Sequence, residues 1–285
     1  MHRKFNVTGR CYPQQHYMVD MKERLKQIEK MVECGDYFCI NRGRQYGKTT
    51  ILSLLKNELE NRYVVFSVSF EGIGEASFES GETLAYAFLC LLKDCLDYGE
   101  VKQASEAMKK LIAENISDET GKMPVLKLSR LISRICMTTE KPIVLFIDEV
   151  DQAGNYKAFI EFLGMLRDKY LKRTERPTFQ SVILAGVYDI KNIKMKMRSQ
   201  EEHQYNSPWN IAAEFNVEMD FSRTDIEGML ADYEKDHQTG MDVPSMAALI
   251  YDYTSGYPFL VCRLCKIIDE KLIGTETYED EWKVL

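Results

Sequence analysis

Two short stretches of the chain carry residue types that can handle a phosphate chain. In the first, "RGRQYGKTT", Gly47 lets the main chain approach a ligand closely, Lys48 supplies a cation and Thr49 supplies a hydroxyl. The pattern of a triphosphate-binding loop is G-x-x-x-x-G-K-[ST], and Arg42 stands here at its first position. Gly43 follows one place later and can take over part of the turn, because glycine has no Cβ. The alternative is a Gly-Lys-Thr that arose by chance.

The position of this stretch favours a phosphate loop. It lies between a short apolar run, "YFCI", and a helical pattern, "TTILSLLKNELENR". Its amides can therefore point at an anion, with a helix N-terminus behind them. Thr49 is expected to hold magnesium and Thr50 to donate to the inner phosphate. The residues predicted to contact the nucleotide are Gly43, Arg44, Gln45, Tyr46, Gly47, Lys48, Thr49 and Thr50.

The second stretch, "IVLFIDEVD", is an apolar run that ends in two acids. An acid at the carboxyl end of a central strand lies where ligands meet an open α/β sheet. Asp148 is expected to hold magnesium and Glu149 to polarise an attacking water. A strand that merely ends in a polar turn is the alternative, but the Gly-Lys-Thr upstream makes it the weaker one. The two motifs together predict a nucleotide site with ATP and Mg²⁺.

The surrounding pattern predicts the elements that must position these motifs. Apolar strands are expected at 37–40, 63–70, 142–149, 181–187 and 216–221, and helices between them, including 81–97, 102–115, 124–138 and 155–172. Strands that alternate with helices indicate an α/β fold with a mostly parallel sheet. We expect an N-terminal segment and helix at 1–35, an α/β core at 36–221 and a helical lid at 222–285.

Composition limits the classes of protein. The chain has 285 residues and a net charge of −7, which disfavours, but does not exclude, nucleic acid as a partner. No apolar run is long enough for a membrane span and the N-terminus lacks a secretory pattern, so a cytoplasmic location is expected. Eight cysteines in a chain of this length, with a C-x-x-C at Cys262 and Cys265, indicate buried thiols; a redox pair or half a zinc site is the alternative.

The sequence resembles the AAA-like, STAND-type branch of the P-loop ATPases. The resemblance rests on "HYMVD" followed by a helix and on "GDYFCINRGRQYGKTT", and it covers almost the whole chain. In that group the loop commonly reads R-Q-x-G-K-[ST] without the first glycine, so Arg42 departs from the general pattern but not from the group's. The resemblance implies a three-layer P-loop fold whose five-stranded sheet has the order 5-1-4-3-2.

Further roles are implied by the resemblance alone. Asp189, after the fourth strand, or the backbone near Gly186 is a candidate γ-phosphate sensor, although relatives often carry asparagine, serine or threonine there. "TSGYPFLVCRLC" resembles a G-x-P element of the lid, with Gly256 and Pro258 near the nucleotide and Arg263 as a second sensor. An ordinary interhelical turn is the alternative. Arg198, in a basic stretch, is a candidate arginine finger for a neighbouring copy, or part of a solvated or anion-contacting turn.

Tyr17, next to His16, lies where this type of ATPase contacts adenine, and either stacking on the base or packing against the first strand would suit it. The prediction is a magnesium-dependent ATP-binding protein, a slow ATPase of regulatory type, with a protein partner not identified. The alternatives are a nucleotide-gated switch with little turnover, a small-molecule kinase and a DNA-associated ATPase. The absence of an N-K-x-D guanine signal favours ATP over GTP.

Overall fold

The fold was taken from a computed structural model, which describes residues 3–116, 120–187 and 208–273. Its strands are β1 (Tyr37–Asn41), β2 (Val64–Ser69), β3 (Ile143–Asp148) and β4 (Ser181–Gly186). Among the described residues they form one parallel sheet in the order β1-β4-β3-β2. Every position of β3 and β4 is buried, as expected of central strands covered on both faces. The α/β class and the predicted neighbours 1-4-3-2 are therefore confirmed.

Helices follow the strands where the sequence pattern predicts them, with ends that differ by a few residues. Short 3-10 helices occur at Glu75–Phe78 and Val150–Ala153, and a π-helical turn at Ile268–Leu272. The helices of the described chain are α1 (Lys22–Glu33), α2 (Lys48–Leu59), α3 (Gly81–Asp97), α4 (Glu106–Glu114), α5 (Val125–Cys136), α6 (Lys157–Leu171), α7 (Arg223–His237), α8 (Val243–Thr254) and α9 (Pro258–Ile267).

The fifth strand expected at 216–221 is not present. Apart from its pairing with β4, β1 carries an isolated parallel bridge between Phe38 and Ala213 in the described residues. Val217 and Met219 are buried and alternate as strand residues do. However, the carbonyls of Glu218 and Asp220 accept hydrogen bonds from the Arg24 guanidinium, at 2.9 and 2.8 Å. The alternation thus reflects burial of one side of an extended segment rather than pairing in a sheet.

The chain divides into two compact units. The first, called here the sheet unit, comprises Ile28–Gly43 and Leu54–Asn216 and contains the four strands. Its apolar core gathers side chains of the sheet and of α3 to α6. The second, called the loop-and-lid unit, comprises Arg44–Ser53 with the chain before Ile28 and after Asn216. The domain limits expected at 35/36 and 221/222 stay a prediction.

The loop-and-lid unit has its own apolar core, which joins two parts of the chain that are far apart in sequence. Phe5, Tyr17 and Val19 come from the N-terminal segment, and the remaining buried members come from α7, α8, α9 and the loop before α8. None of the helices in the part of the chain that the structure describes is long and apolar enough to cross a membrane.

Candidate functional site

The predicted phosphate loop runs from the end of β1 to the start of α2. Within it Gln45 and Gly47 adopt positive φ angles of 62° and 76°. A Cβ at position 47 would meet no atom within 4 Å, so the glycine is required by its left-handed backbone rather than by crowding. Ile51 N–H donates to the Gly47 carbonyl at 2.9 Å, which closes the first turn of α2. The loop therefore leads into a helix N-terminus, the arrangement that favours an anion.

The hydroxyl and amine groups of the loop differ in exposure. Lys48 and Thr50 are buried, whereas Thr49 is exposed. The Thr50 hydroxyl accepts a hydrogen bond from Cys11 N–H at 3.1 Å. Because a hydroxyl that accepts still has its own proton to donate, this contact is compatible with the predicted donation to a phosphate. It also ties the N-terminal segment to the loop.

The predicted G-x-P element lies directly against the phosphate loop. The Tyr257 hydroxyl donates to the Arg44 carbonyl at 2.7 Å, and the Tyr257 ring lies 4.9 Å from the ring of Tyr46. Pro258 begins α9, a position where proline costs no hydrogen bond. The first turn of α9 is thus attached to the loop by one hydrogen bond and one ring contact.

Gly256 is required at its position by both conformation and space. Its φ is +77°, and a Cβ there would lie 2.0 Å from the Phe221 carbonyl oxygen. The close approach accompanies a hydrogen bond of 2.8 Å from Phe221 N–H to the Gly256 carbonyl. A side chain at 256 would therefore push apart the segment before α7 and the turn before α9.

Tyr17 is buried and anchored to α7 through its hydroxyl. It donates to Asp236 at 2.9 Å, and its ring packs on Phe5 and Tyr233 at centroid distances of 5.0 and 5.2 Å. Arg3 pairs with the same Asp236 at 2.9 Å. Burial, and then the hydrogen bond with Asp236, raise the pKa of Tyr17 to about 12. The Tyr17 hydroxyl is thus bound to α7, and its ring is the part of the side chain that packs against other residues.

These elements line one open pocket inside the loop-and-lid unit, with a volume of about 130 Å³. Of the predicted site residues, the walls contain Gln45, Tyr46, Gly47, Thr50, Tyr17 and Pro258. The residues that sequence reasoning missed are Asn6, Val7, Gly9, Cys11, Met18, Val19, Met21, Phe221, Met229, Phe259 and Cys262.

The helix α9 presents a different residue to this cavity than the one expected. Cys262 lines it, whereas Arg263, the candidate second sensor, is exposed and is not among the lining residues. Burial, and then the neighbouring Cys11, raise the pKa of the Cys262 thiol to about 12. Burial also raises the pKa of Cys265 well above its ordinary value. Both thiols are free, so this C-x-x-C consists of protonated, poorly reactive groups.

The acid pair lies in the sheet unit, at the carboxyl edge of the sheet. Asp148 ends β3 and is buried, and its Oδ1 accepts from Glu149 N–H at 2.9 Å. Glu149 has φ 52° and ψ 40°, a left-handed conformation that costs a non-glycine residue on the order of 1–3 kcal/mol. Because β1 and β3 are parallel members of one sheet, Asn41 and Asp148 end at the same edge, and the phosphate loop starts from that edge.

Comparison with known proteins decides the family. The sequence model of a family described as "AAA-like domain" matches residues 13–277. The chain belongs to the AAA-like domain family. Family and fold together place it among the ATP-binding P-loop proteins. No protein among the curated proteins matches the chain.

One solved structure similar to this AAA-like chain is the ORC1 protein of Aeropyrum pernix in complex with DNA. The match has 10% sequence identity and a TM-score of 0.48, and it covers 89% of this chain. The AAA-like chain spans 60% of the length of that protein.

Two of the predicted site residues, Asp189 and Arg198, lie outside the described residues. For magnesium, the AAA-like chain offers the oxygen donors Thr49 and Asp148. No group of three His, Cys, Asp or Glu side chains suited to a metal occurs within 3–116, 120–187 and 208–273. Mg²⁺ is usually held by one or two carboxylates together with substrate phosphates, so a carboxylate such as that of Asp148 is a donor of the kind this ion takes, and the two ligands stay a prediction.

Proposed function

We propose that this chain binds ATP with magnesium and hydrolyses it slowly, as a regulatory or signalling module of AAA-like, STAND type. One observation carries the proposal: the phosphate loop, Tyr17 and Pro258, which the sequence marks separately, line the same cavity. A purine base needs apolar walls of the kind that Met18, Phe221 and similar side chains supply there. The loop that precedes Lys48 contributes Gln45, Tyr46 and Gly47 to the same walls.

The phosphates would bind where the loop meets α2. The amides of the loop and the N-terminus of α2 favour negative charge, and Lys48 would neutralise part of it. Thr49 and Asp148 would hold Mg²⁺. The ion, when bound, supplies neutralisation of the charge that develops on the transferred phosphoryl group.

Glu149 is proposed to orient the attacking water for in-line displacement at the γ-phosphate. In support of this role, Glu149 directly follows a buried β3 at the edge from which the phosphate loop starts, and its left-handed backbone is of a kind that clusters at functional sites. The hydrolysis step would break the bond between the β–γ bridging oxygen and the γ-phosphorus while the water oxygen forms the new bond. The proton of the water passes to Glu149 or to solvent, and ADP and phosphate leave.

Slow turnover of the isolated chain is proposed because the arginine finger would come from a neighbouring copy. An arginine supplied in trans contributes a factor of roughly 10³–10⁵ in rate, and a second copy of this chain is the candidate donor, through Arg198. Arg263 remains a further candidate, although it is exposed in α9. A protein partner and a cytoplasmic location also stay predictions.

The test compares binding and turnover in matched variants. Lys48→Ala should abolish ATP binding in calorimetry, whereas Lys56→Ala, on the same helix, should leave it intact. Glu149→Gln should keep ATP binding and lose phosphate release, whereas Glu140→Gln, exposed before β3, should keep both. Equal ATP affinity in the wild type and in Lys48→Ala would refute the proposal.

A nucleotide-gated switch with little turnover is the second candidate. It is favoured by the bond of 2.7 Å from Tyr257 to Arg44, because a loop that holds the nucleotide is then directly attached to α9. In that case ATP and a non-hydrolysable analogue should change hydrogen exchange of α9 equally, in the wild type and in Glu149→Gln. An effect of ATP on α9 that requires hydrolysis would contradict the switch.

A further inference from the structure

The end of β4 is held from two sides within the sheet unit. On one side, Arg42 N–H donates to the Gly186 carbonyl at 3.2 Å, which extends the pairing with β1 by one residue. On the other side, Val187 N–H donates to Asp151 Oδ2 at 2.5 Å. Hydrogen bonds to a charged acceptor are the stronger kind. The C-terminal end of β4 is therefore hydrogen-bonded on both sides. Arg42, in the segment that follows β1, bonds to it on one side, and Asp151, in the segment that follows β3, bonds to it on the other.

The contact around Asp151 leaves no spare space. A Cβ added at Gly186 would lie 2.8 Å from Val150 Cγ2 and 3.0 and 3.1 Å from the two carboxylate oxygens of Asp151. Contacts below 3.0 Å force one of the groups to move. The short helix Val150–Ala153 is thus pressed against the tip of β4, and only glycine at 186 permits that approach.

In sequence, Glu149 lies between the end of β3 and Asp151. Its amide donates to Asp148 Oδ1 at 2.9 Å, and its carbonyl accepts from Gln152 N–H at 3.1 Å. Both of these bonds are local, and neither relates Glu149 to another strand. A left-handed backbone at a non-glycine residue persists only where the surrounding structure holds it. Asp151 supplies a bond that reaches from this turn to a neighbouring strand.

We infer that Asp151 is a positioning residue: its carboxylate, bound to Val187 N–H, fixes the turn that carries Glu149 against the end of β4. The functional part of this inference rests on the proposed role of Glu149 in ATP hydrolysis. Asp151 touches neither substrate nor metal in this scheme. It determines where the Glu149 carboxylate lies with respect to the edge of the sheet.

The test uses Asp151→Ala and Asp151→Asn. Asp151→Ala should lower kcat by about 10²-fold, since a displacement near 1 Å can have such a cost, while KM and ATP affinity stay unchanged. Asp151→Asn should retain most of kcat, because an amide oxygen still accepts from Val187 N–H. Loss of activity in Asp151→Asn equal to that in Asp151→Ala would overturn the positioning role, since charge would then be what matters.

Hydrogen exchange gives a readout that does not depend on turnover. Peptides covering 148–152 and 186–187 should exchange faster in Asp151→Ala and as in the wild type in Asp151→Asn. Unchanged exchange in Asp151→Ala would overturn the inference. A wild-type chain that binds ATP without turnover would refute the proposed hydrolysis instead, and the exchange experiment would still decide the role of Asp151.

Gly186→Ala approaches the same turn from the other side. Its new methyl should displace Val150 and Asp151, accelerate exchange at 148–152 and lower kcat although every carboxylate is present. Gly164→Ala, in α6, is the matched control because a Cβ there meets no atom within 4 Å. Normal exchange and kcat in Gly186→Ala would contradict the inference.

Discussion

The acid-pair turn and the phosphate loop are held by different means. In the sheet unit, Glu149 follows a strand buried at every position, and the link from Asp151 to Val187 spans 36 residues of sequence, from one strand to the next. In the loop-and-lid unit, the bond from Tyr257 to Arg44 spans 213 residues, and the bond from Cys11 to Thr50 brings in a third part of the chain.

This difference indicates which kind of substitution destabilises each unit. The sheet unit gains stability from many apolar contacts and regular strand pairing, which single surface changes reduce only slightly. The loop-and-lid unit is assembled from distant segments through a few polar and aromatic links. We therefore expect changes at those links to reduce protection of the loop-and-lid unit in hydrogen exchange while the amides of β3 and β4 stay protected.

Gly256→Ala should have the largest effect. The methyl would collide with the Phe221 carbonyl, 2.0 Å away, in a backbone with φ +77°. Strain and overpacking together predict a loss of about 3 kcal/mol of unfolding free energy, measured by urea denaturation. Gly228→Ala, in α7, is the control, because a Cβ there meets no atom within 4 Å and alanine favours a helix. If both variants match the wild type, the G-x-P turn does not hold the unit together.

Arg24→Ala should follow in size. The guanidinium is 13% exposed and pairs with Asp225 at 2.8 Å, and it donates to the carbonyls of Glu218 and Asp220. Its removal eliminates these hydrogen bonds and the ion pair with Asp225, which should cost about 2 kcal/mol, again by urea denaturation. Lys22→Ala, on the same helix and 80% exposed, should be neutral. Faster hydrogen exchange of the amides in β3 as well as at 217–221 would contradict the expectation that only the loop-and-lid unit loses protection.

Arg24→Ala also carries a pH signature through Asp225. Burial tends to raise the pKa of Asp225, but the hydrogen bonds from Arg24 and Ser222 outweigh it and lower the pKa. A depressed folded pKa stabilises the fold above the unfolded pKa and loses that stabilisation as pH falls through the folded pKa. The variant should therefore lose less stability than the wild type between neutral and acid pH.

Tyr257→Phe should have a smaller effect. It removes the hydroxyl bound to the Arg44 carbonyl but keeps the ring beside Tyr46. The loss of one hydrogen bond, about 1 kcal/mol, should weaken ATP binding roughly fivefold in calorimetry. Tyr253→Phe, 77% exposed on α8, is the matched control. Unchanged affinity in Tyr257→Phe would show that the bond between α9 and the loop does not support the nucleotide.

His16 should produce the smallest effect, visible only in acid. It is 6% exposed, and its Nδ1 accepts from Tyr12 N–H at 2.8 Å, which requires a neutral ring. Burial, and then the charge of Lys4, lower its pKa from the ordinary value of 6.5. Because the unfolded chain takes up the proton first, stability is complete above 6.5 and falls with pH until the folded pKa is reached.

The His16 prediction is tested by thermal denaturation against pH. The wild type should lose stability below pH 6.5 more steeply than His16→Gln, whose amide oxygen can still accept from Tyr12 and does not titrate. Identical slopes would show that the buried ring does not control the N-terminal segment.

Local sequence patterns were sufficient for much of the fold. The apolar runs at β1 to β4 are bounded by turn residues and are too short to form helices. Their limits were therefore predicted within about one residue. Gly47-Lys48-Thr49 and Asp148-Glu149 were identified because each motif is contiguous. The error at 216–221 arose because alternating burial looks the same whether a carbonyl bonds to a strand or, as at Glu218, to an arginine.

The sequence by itself determined the α/β class, the motifs and the family, since these depend on residues that are adjacent or regularly spaced. Only the tertiary structure decided which residues form the cavity walls, that Arg263 points elsewhere than Cys262, and that Asp151 binds Val187. Those relations join residues far apart in the chain, and their partners are selected by packing and by the satisfaction of buried polar groups. No local pattern encodes such a choice, so it became visible only in the folded chain.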